Sequence, residues 1–252
     1  MTTLTTVVPT RGFEPLLRVC LDRLAAATAH AATLRPLTTR TVVVDNATPV
    51  PLRWPPTSDR RLTVVRFDTH HTFAACCNRA VAVAPSDLIL LLNNDVLLDP
   101  RAVAVMVETL GAEPGLGICG TRLVFPDGRL QHAGVRFGPT RGPYHHGRGR
   151  ATDTVPRARV HLQAVTGACM MVRGTLWRAL GGLDESYPFG LEDIDFCLRA
   201  GRAGWAVSCA QTVDSLHFEA MTPGRIALDR PSRRLFMERW HGRYTIDGDP
   251  HD

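Results

Sequence analysis

At 252 residues, with 44% hydrophobic and 21% charged residues, the chain has the make-up of a globular protein, one large α/β domain or two small ones. No apolar run approaches the ~20 residues that span a bilayer, and Met1-Thr2-Thr3-Leu4 lacks the basic region of a signal peptide. The net charge is +5 and all 29 basic residues are arginine, a side chain whose planar fork suits phosphate, but no basic block is dense enough to argue for nucleic acid. Cys20, Cys76, Cys77, Cys119, Cys169, Cys197 and Cys209 are odd in number and lack CxxC spacing, which reads as reduced core thiols of a cytosolic protein.

Leu4 to Val8 reads as a first strand, followed by the loop Pro9-Thr10-Arg11-Gly12. An amphipathic helix carries Leu16, Leu17, Cys20, Leu21 and Leu24 at helical spacing. Thr41 to Val44 is a second strand ending in Asp45-Asn46. The Pro-rich segment Pro49 to Pro56 is a loop, Leu62 to Arg66 a third strand and Phe73 to Val83 an Ala-rich helix. Leu88 to Leu92 is apolar throughout, as a parallel strand covered on both faces must be, and stops at Asn93-Asn94-Asp95. Asp99-Pro100 then opens a helix to about Leu110 as N-cap and first residue. This order predicts a mostly parallel sheet with helices on both faces, and it puts Pro9-Thr10, Asp45 and Asp95 at one sheet edge, where such sheets bind ligands.

The second half changes character. Gly117 to Gly120 is a short strand, and Leu123 to Leu130 a hairpin around Pro126-Asp127-Gly128. Gly138 to Thr154, rich in Gly, Arg and His, lacks periodicity and reads as a loop over the site. Its His145, His146, Arg148 and Arg150 suit either a cover for a diphosphate or a solvated surface. Strands follow at Val160 to Val165 and Ala168 to Val172, then a helix at Thr175 to Leu180 ended by Gly181-Gly182. A helix at Leu191 to Ala203 and strands at Trp205 to Cys209 and Val213 to His217 complete the sheet. Ile226 to Trp240 is a basic helix. No linker is evident, so 1–252 reads as one domain: a nucleotide-binding half (1–110), an acceptor and catalytic half (111–225), and a C-terminal helix and tail (226–252).

Seven stretches, in order, carry a resemblance: Val7-Val8-Pro9-Thr10; Val42-Val43-Val44-Asp45-Asn46; Phe73 to Arg79; Leu91-Leu92-Asn93-Asn94-Asp95-Val96; Asp127 to Gly134; Thr166 to Arg173; and Gly181 to Glu185 with Glu192 to Arg199. Together they resemble the inverting family 2 glycosyltransferases with the GT-A fold, in particular bacterial rhamnosyltransferase-like members. The ordered set is specific where each piece alone is weak.

The resemblance implies transfer of a sugar from a UDP- or dTDP-sugar to a hydroxyl acceptor, a cell-envelope glycan or a small natural product. It assigns Pro9, Thr10, Arg11, Asp45, Asn78, Asn93 and Asn94 to the nucleotide, with Arg79 beside them. Asp45 equally suits a turn residue capping backbone N–H groups. Asn93-Asn94-Asp95 stands at the family's Asp-x-Asp position with Asn93 replacing the first Asp, which puts metal dependence in doubt. Asp95 and His217 are the implied ligands of Mg²⁺ or Mn²⁺, which would stabilise the leaving diphosphate. Asp193 matches the catalytic base, taking the acceptor proton as its hydroxyl attacks the anomeric carbon opposite the leaving group. Glu192 and Asp193 equally suit the helix N-terminal dipole. Gln131, His132, Thr166, Gly167, Ala168 and Glu192 are implied to face sugar or acceptor.

Three other classes bear on the same residues. A nucleotidyltransferase on the same fold wants a Gly-rich, Lys-bearing first loop, whereas this loop has one Gly and the chain has no Lys. A dinucleotide-binding dehydrogenase wants G-x-G-x-x-G after the first strand, which is missing. A non-catalytic nucleotide-sugar or glycan-binding protein remains compatible with the Asn93 replacement. The tail, with Arg225, Arg230, Arg233, Arg234, Arg239 and Arg243 beside Leu235, Phe236, Met237 and Trp240, suits a peripheral contact with an anionic membrane face. It suits equally an amphipathic helix packed on the core. The expectation is a cytoplasmic enzyme, with room for contact at the inner membrane face and for a homodimer.

Overall fold

A computed structural model describes residues 1–12, 14–52, 61–139, 142–158, 160–219 and 225–248, with backbone alone at 225–228. The first half runs β1 (Thr2–Thr10), α1 (Glu14–Leu34), β2 (Leu37–Asn46), β3 (Leu62–Phe67), α2 (Phe73–Val83) and β4 (Leu88–Leu92). β1 pairs in parallel with β2 on one side and β4 on the other, and β2 pairs in parallel with β3. The chain therefore reverses its direction of travel across the sheet between β1 and β4, the arrangement that opens a ligand crevice at the carboxyl ends of the strands.

The five residues of β4 are all buried. Their side chains alternate between two cores, as a pleated strand requires. Leu88, Leu90 and Leu92 join Leu4, Val8, Val43 and the apolar stripe of α1. Ile89 and Leu91 join Val7, Val42, Val44 and the inner face of α2. At about 1.5–3 kcal/mol for each fully buried aliphatic side chain, this strand is a principal source of stability.

The second half continues the same sheet. It contains β5 (Val96–Leu97), α3 (Ala102–Ala112), β6 (Leu116–Val124), β7 (Leu130–His132), β8 (Val135–Gly138), β9 (Gly142–His145), β10 (Val160–Leu162), β11 (Cys169–Arg173), α4 (Gly174–Leu180), α5 (Glu192–Arg202), β12 (Ala206–His217) and α6 (Arg225–Trp240). The main sheet order is β10-β12-β6-β11-β4-β1-β2-β3, with β5 on β12 and β7 on β6. β11 runs antiparallel to both β4 and β6, and β12 parallel to β6. Hence β4 and β12 end at the edge where β11 begins.

Several elements differ from expectation. The segment 138–154 contains a strand, β9, paired with β8, because Gly142 and His145 find backbone partners in Gly138 and Val135. The two strands expected over 205–217 are one, β12, with an irregularity between Ala210 and Asp214. The strand expected at 117–120 spans nine residues. α3 begins at Ala102, because Asp99 Oδ1 accepts the Arg101 N–H at 2.8 Å and holds a turn ahead of the helix. Residues 53–56 of the expected Pro-rich loop, and the Arg225 side chain, lie outside the described residues. Among the described residues no helix is long and apolar enough to cross a membrane.

α6 packs on the core through Ser232, Phe236 and Trp240 and leaves Arg230, Arg233, Arg234 and Met237 outside. Its anchor is Asp195 of α5, buried to 1% exposure. Asp195 Oδ1 accepts from Trp240 Nε1 at 2.9 Å and from the Tyr187 hydroxyl at 3.3 Å, while Oδ2 accepts from Arg199 Nε at 2.7 Å. Asp195→Ala leaves these donors buried and unpaired, so unfolding free energy should fall by about 3–5 kcal/mol in a urea titration. A fall below about 1 kcal/mol would show that apolar contact alone docks α6.

Candidate active site

The polar residues that follow β4 are tied in three directions. Asn93 N–H donates to the Ala168 carbonyl at 2.9 Å, just ahead of β11. Asn94 Nδ2 donates to Thr10 Oγ1 at 2.8 Å, spanning the gap between the ends of β1 and β4. The Asp95 carbonyl accepts from Phe218 N–H at 3.1 Å, beyond the end of β12. Backbone and side-chain hydrogen bonds thus close the crevice floor. The Asn93 carboxamide, half-buried, has no hydrogen-bond partner among the described residues.

Val96 pairs with His217 across β5 and β12, which brings Asp95 beside the His217 ring. His217 Nε2 lies 3.2 Å from Asp95 Oδ1, and both residues are 6% exposed. The second ring nitrogen, Nδ1, lies 2.5 Å from Gln131 Oε1. Gln131 Nε2 faces two acceptors, the His217 carbonyl and Glu219 Oε2, each at 3.3 Å. That pair orients the amide, so its oxygen accepts and His217 Nδ1 carries the hydrogen. In the neutral ring Nε2 is then the nitrogen with the lone pair, and it can share a cation with the Asp95 carboxylate. Adjacent ligands of an octahedral Mg²⁺, with bonds of about 2.1 Å, sit about 3.0 Å apart, so the spacing fits. No group of three or more metal-binding side chains occurs among the described residues. The protein would therefore supply two ligands, leaving the other positions to phosphate oxygens and water.

The expected base lies close by. Gly190 and Leu191 both have φ near +70°, and the second is a left-handed branched residue, a conformation that costs free energy. This turn starts α5 abruptly and places Glu192 and Asp193 in its first turn. Asp193 Oδ2 accepts from Gly167 N–H at 2.7 Å and Oδ1 from Ile194 N–H at 2.8 Å. Gly167 is a close fit: a Cβ there would lie 3.1 Å from Asp193 Cβ and 3.4 Å from the Phe73 ring. Phe73, partly buried at the start of α2, is a cleft residue that its place in an Ala-rich helix had hidden.

Burial raises the Asp193 carboxyl, and the N–H donors of Gly167 and Ile194 and the Thr166 hydroxyl pull it back. Glu192 is pushed up to about 8 by burial and then by the charge of Asp193. Both adjacent carboxyls are thus raised by burial, and Asp193 is the one that also collects N–H donors favouring the charged form.

Thr166 and Ala168 flank Gly167 where expected, with Thr166 Oγ1 accepting from Ala168 N–H at 3.3 Å. Pro9 lies in the ladder between β1 and β2, and Arg11 is exposed just beyond it. His70 comes near Arg11; burial first, and then Arg11 and His71, hold its imidazole below the usual value. Asn46 clamps this segment by donating to the His71 carbonyl and accepting its N–H, both at 2.9 Å. Neither His70 nor His71 carries a sequence signal beyond preceding α2.

Four of the expected site residues make their contacts within the protein. Asp45 is 1% exposed and turned into its own loop, accepting from Thr48 N–H at 2.9 Å, Thr48 Oγ1 at 2.7 Å, Leu52 N–H at 3.2 Å and Arg66. Burial opposes its ionisation, but these donors outweigh it and hold the carboxyl below its usual value. A carboxylate has about four lone-pair sites, so this one is saturated and acts as the capping residue. Asn78 bonds the Leu183 carbonyl and Glu185 Oε1 and accepts from Leu183 N–H, pinning the turn after α4 rather than facing a nucleotide. Gln131 is turned to His217 rather than to a sugar. His132 is fully buried behind the site, its Nδ1 2.7 Å from His145 Nδ1 and its Nε2 3.4 Å from Thr166 N–H. Burial, then neighbouring His145, His217 and His146, depress its pKa well below the usual value. In the 145–150 segment, Arg148 Nη2 donates to Glu219 Oε2 at 2.7 Å.

Comparison with known proteins agrees with this geometry. Residues 2–223 match the model of the glycosyltransferase-like family 2. An O-antigen biosynthesis protein of Myxococcus xanthus is 27% identical over 252 residues, covering 97% of this chain and 20% of the relative. An N-acetylglucosaminyl-diphospho-decaprenol L-rhamnosyltransferase of Mycobacterium tuberculosis is 27% identical over 187 residues, 64% of this chain and 61% of the relative. The chain thus spans about a fifth of the first of these and three-fifths of the second. A mannosyltransferase from Pyrobaculum calidifontis, solved in complex with GDP-Man and Mn²⁺, superposes with a TM-score of 0.62 at 17% identity, over 95% of this chain and 63% of that one.

The raised carboxyl of Glu192 has a stability consequence. It binds its proton more tightly folded than unfolded, so its stabilising share is full below about 4.5 and is lost as pH rises through about 8. Glu192→Gln should flatten the fall in melting temperature between pH 5 and pH 8 and be more stable than wild type at pH 8. Parallel profiles would place the strain elsewhere.

Proposed function

The chain belongs to the glycosyltransferase-like family 2 and is a glycosyltransferase of GT-A fold; on that premise we propose that it moves a hexose or deoxyhexose, with inversion, from a UDP- or dTDP-sugar to a hydroxyl of a cell-envelope glycan. One observation carries this reading. The segment 166–168 bridges both halves of the site, Gly167 N–H holding Asp193 at 2.7 Å and the Ala168 carbonyl accepting from Asn93 at 2.9 Å. In this reading a proton acceptor and a diphosphate site lie on either side of this one segment.

In this mechanism Asp193 Oδ1 and Oδ2, partly open to the crevice, accept the proton of the attacking hydroxyl. The two backbone N–H donors favour the carboxylate's charged form and aim it. Glu192, protonated beside it, adds no competing charge. The Asn93 carboxamide, free of protein partners among the described residues, bonds a ribose hydroxyl. Thr10 and Asn94 brace the loop above which the nucleotide lies. Asp45 shapes the same pocket through its loop rather than by direct contact. Asp95 and His217 would hold the divalent cation, which when bound supplies positive charge to the departing diphosphate. The acceptor class is supported by the names of the Myxococcus and Mycobacterium relatives, and metal use by the Mn²⁺ of the Pyrobaculum enzyme. The enzyme works in the cytoplasm, with the exposed arginines of α6 available to an anionic membrane face.

Asp193→Asn should bind UDP or dTDP as wild type does and lose at least about 100-fold in kcat. Turnover within a factor of two would remove the base from this position. Calorimetric titration of UDP and of dTDP, with and without Mn²⁺, should show metal-dependent binding of one of them. Asp95→Ala should weaken that binding about tenfold or more, and an unchanged Mn²⁺ response would move the metal site elsewhere.

A further inference from the structure

Gln131 belongs to no chemical step described above, yet its side chain is 2% exposed and fully committed. Its oxygen meets His217 Nδ1 at 2.5 Å. Its nitrogen reaches the His217 carbonyl and Glu219 Oε2, at 3.3 Å each. Arg148 Nη2 in turn holds Glu219 Oε2 at 2.7 Å. A ring nitrogen that donates a hydrogen cannot also bind a cation through the same position, and a neutral imidazole carries only one hydrogen. The amide therefore decides which nitrogen of His217 is the donor of a lone pair. It is Nε2, the one 3.2 Å from Asp95.

We infer that Gln131 is a positioning residue that locks His217 in the Nδ1–H tautomer and so prepares Nε2 and Asp95 as a cation site. This rests on the metal reading of the Asp95–His217 pair. The amide suits the task better than a carboxylate would. A carboxylate at 131 would face the carboxylate of Glu219 and the His217 carbonyl, three acceptors without a hydrogen among them. The Gln131 N–H group satisfies both, and Arg148 fixes Glu219 from the far side. The chain Arg148–Glu219–Gln131–His217–Asp95 thus connects the 145–150 segment to the crevice. Without Gln131, His217 gains by moving its hydrogen to Nε2, where Asp95 accepts it, and the pair then satisfies itself without a metal.

Two measurements, on wild type and on variants, test this. In wild type, ¹⁵N shifts of the His217 ring should report the Nδ1–H tautomer; a predominant Nε2–H form would overturn the proposal without any variant. Gln131→Met, close in volume, should convert His217 toward the Nε2–H form. It should also lower the affinity for Mn²⁺ alone, read by EPR of the free ion, by about 10–100-fold. A folded Gln131→Met protein that keeps the wild-type tautomer and Mn²⁺ affinity would overturn the role of Gln131. His217→Ala separates the two levels. If it loses Mn²⁺ while Gln131→Met does not, only the positioning role falls; if it binds Mn²⁺ like wild type, the metal reading falls and this inference with it.

Discussion

The antiparallel pairing of β11 between β4 and β6 is the constraint from which the site follows. In a sheet of otherwise mostly parallel strands, only a reversed strand begins at the edge where its neighbours end. That places Thr166-Gly167-Ala168 against Asn93-Asn94-Asp95, and it puts the end of β12 at the same edge. Cys169 pairs with Leu92 and Arg173 with Leu88, so a slip of one residue would send every side chain of β11 to the wrong core. Burial on both faces makes such a slip costly, and the register of the site is thereby as secure as the core.

Around that frame the polar groups sit in layers. The crevice keeps Asn93 and Asp193 partly open, while Gly167 and Gln131 behind them are buried. Gly167 N–H aims Asp193, Gln131 aims His217, and Asn94 ties the two strand ends together. Each outer group is satisfied by a further partner, as a buried amide or carboxylate must be if it is not to cost stability. The same logic governs the far side of α5, where Asp195 collects donors from Tyr187, Arg199 and Trp240. One helix therefore carries a structural carboxylate on its inner face and the proposed base at its tip, two residues apart. Their different fates arise from what surrounds them and not from their chemistry.

Much of this was legible beforehand, for identifiable reasons. Leu88 to Leu92 followed by three polar residues reports a buried strand meeting a ligand edge, because apolar burial on both faces is a local demand on sequence. The ordered motifs from Val7 to Arg199 carried the family and the fold. Asp95, Asp193, His217 and the 166–168 segment were expected at the site from their positions in those motifs. The structure brings them to one edge, and their roles rest on that placement. By contrast, Asp45, Asn78, Gln131 and His132 are polar residues in the same motifs, yet their side chains turn to protein partners. Nothing local distinguishes an amide that faces a ligand from one that faces a histidine. β9 escaped notice because a four-residue strand without alternation takes its identity from its partner.

What the amino-acid sequence determined by itself was the alternation of buried strands and amphipathic helices, the polar punctuation at the strand ends and the family. Those properties depend on periodicity and on short ordered motifs, which neighbouring residues suffice to define. The tertiary structure alone decided the antiparallel insertion of β11, the meeting of Asp95 with His217, the saturation of Asp45 by Thr48, Leu52 and Arg66, and the orientation of His217 by Gln131. Each of these joins groups that are separated along the chain, or that choose among several partners of equal chemistry. Such choices are settled by packing and by the requirement that every buried polar group find a partner.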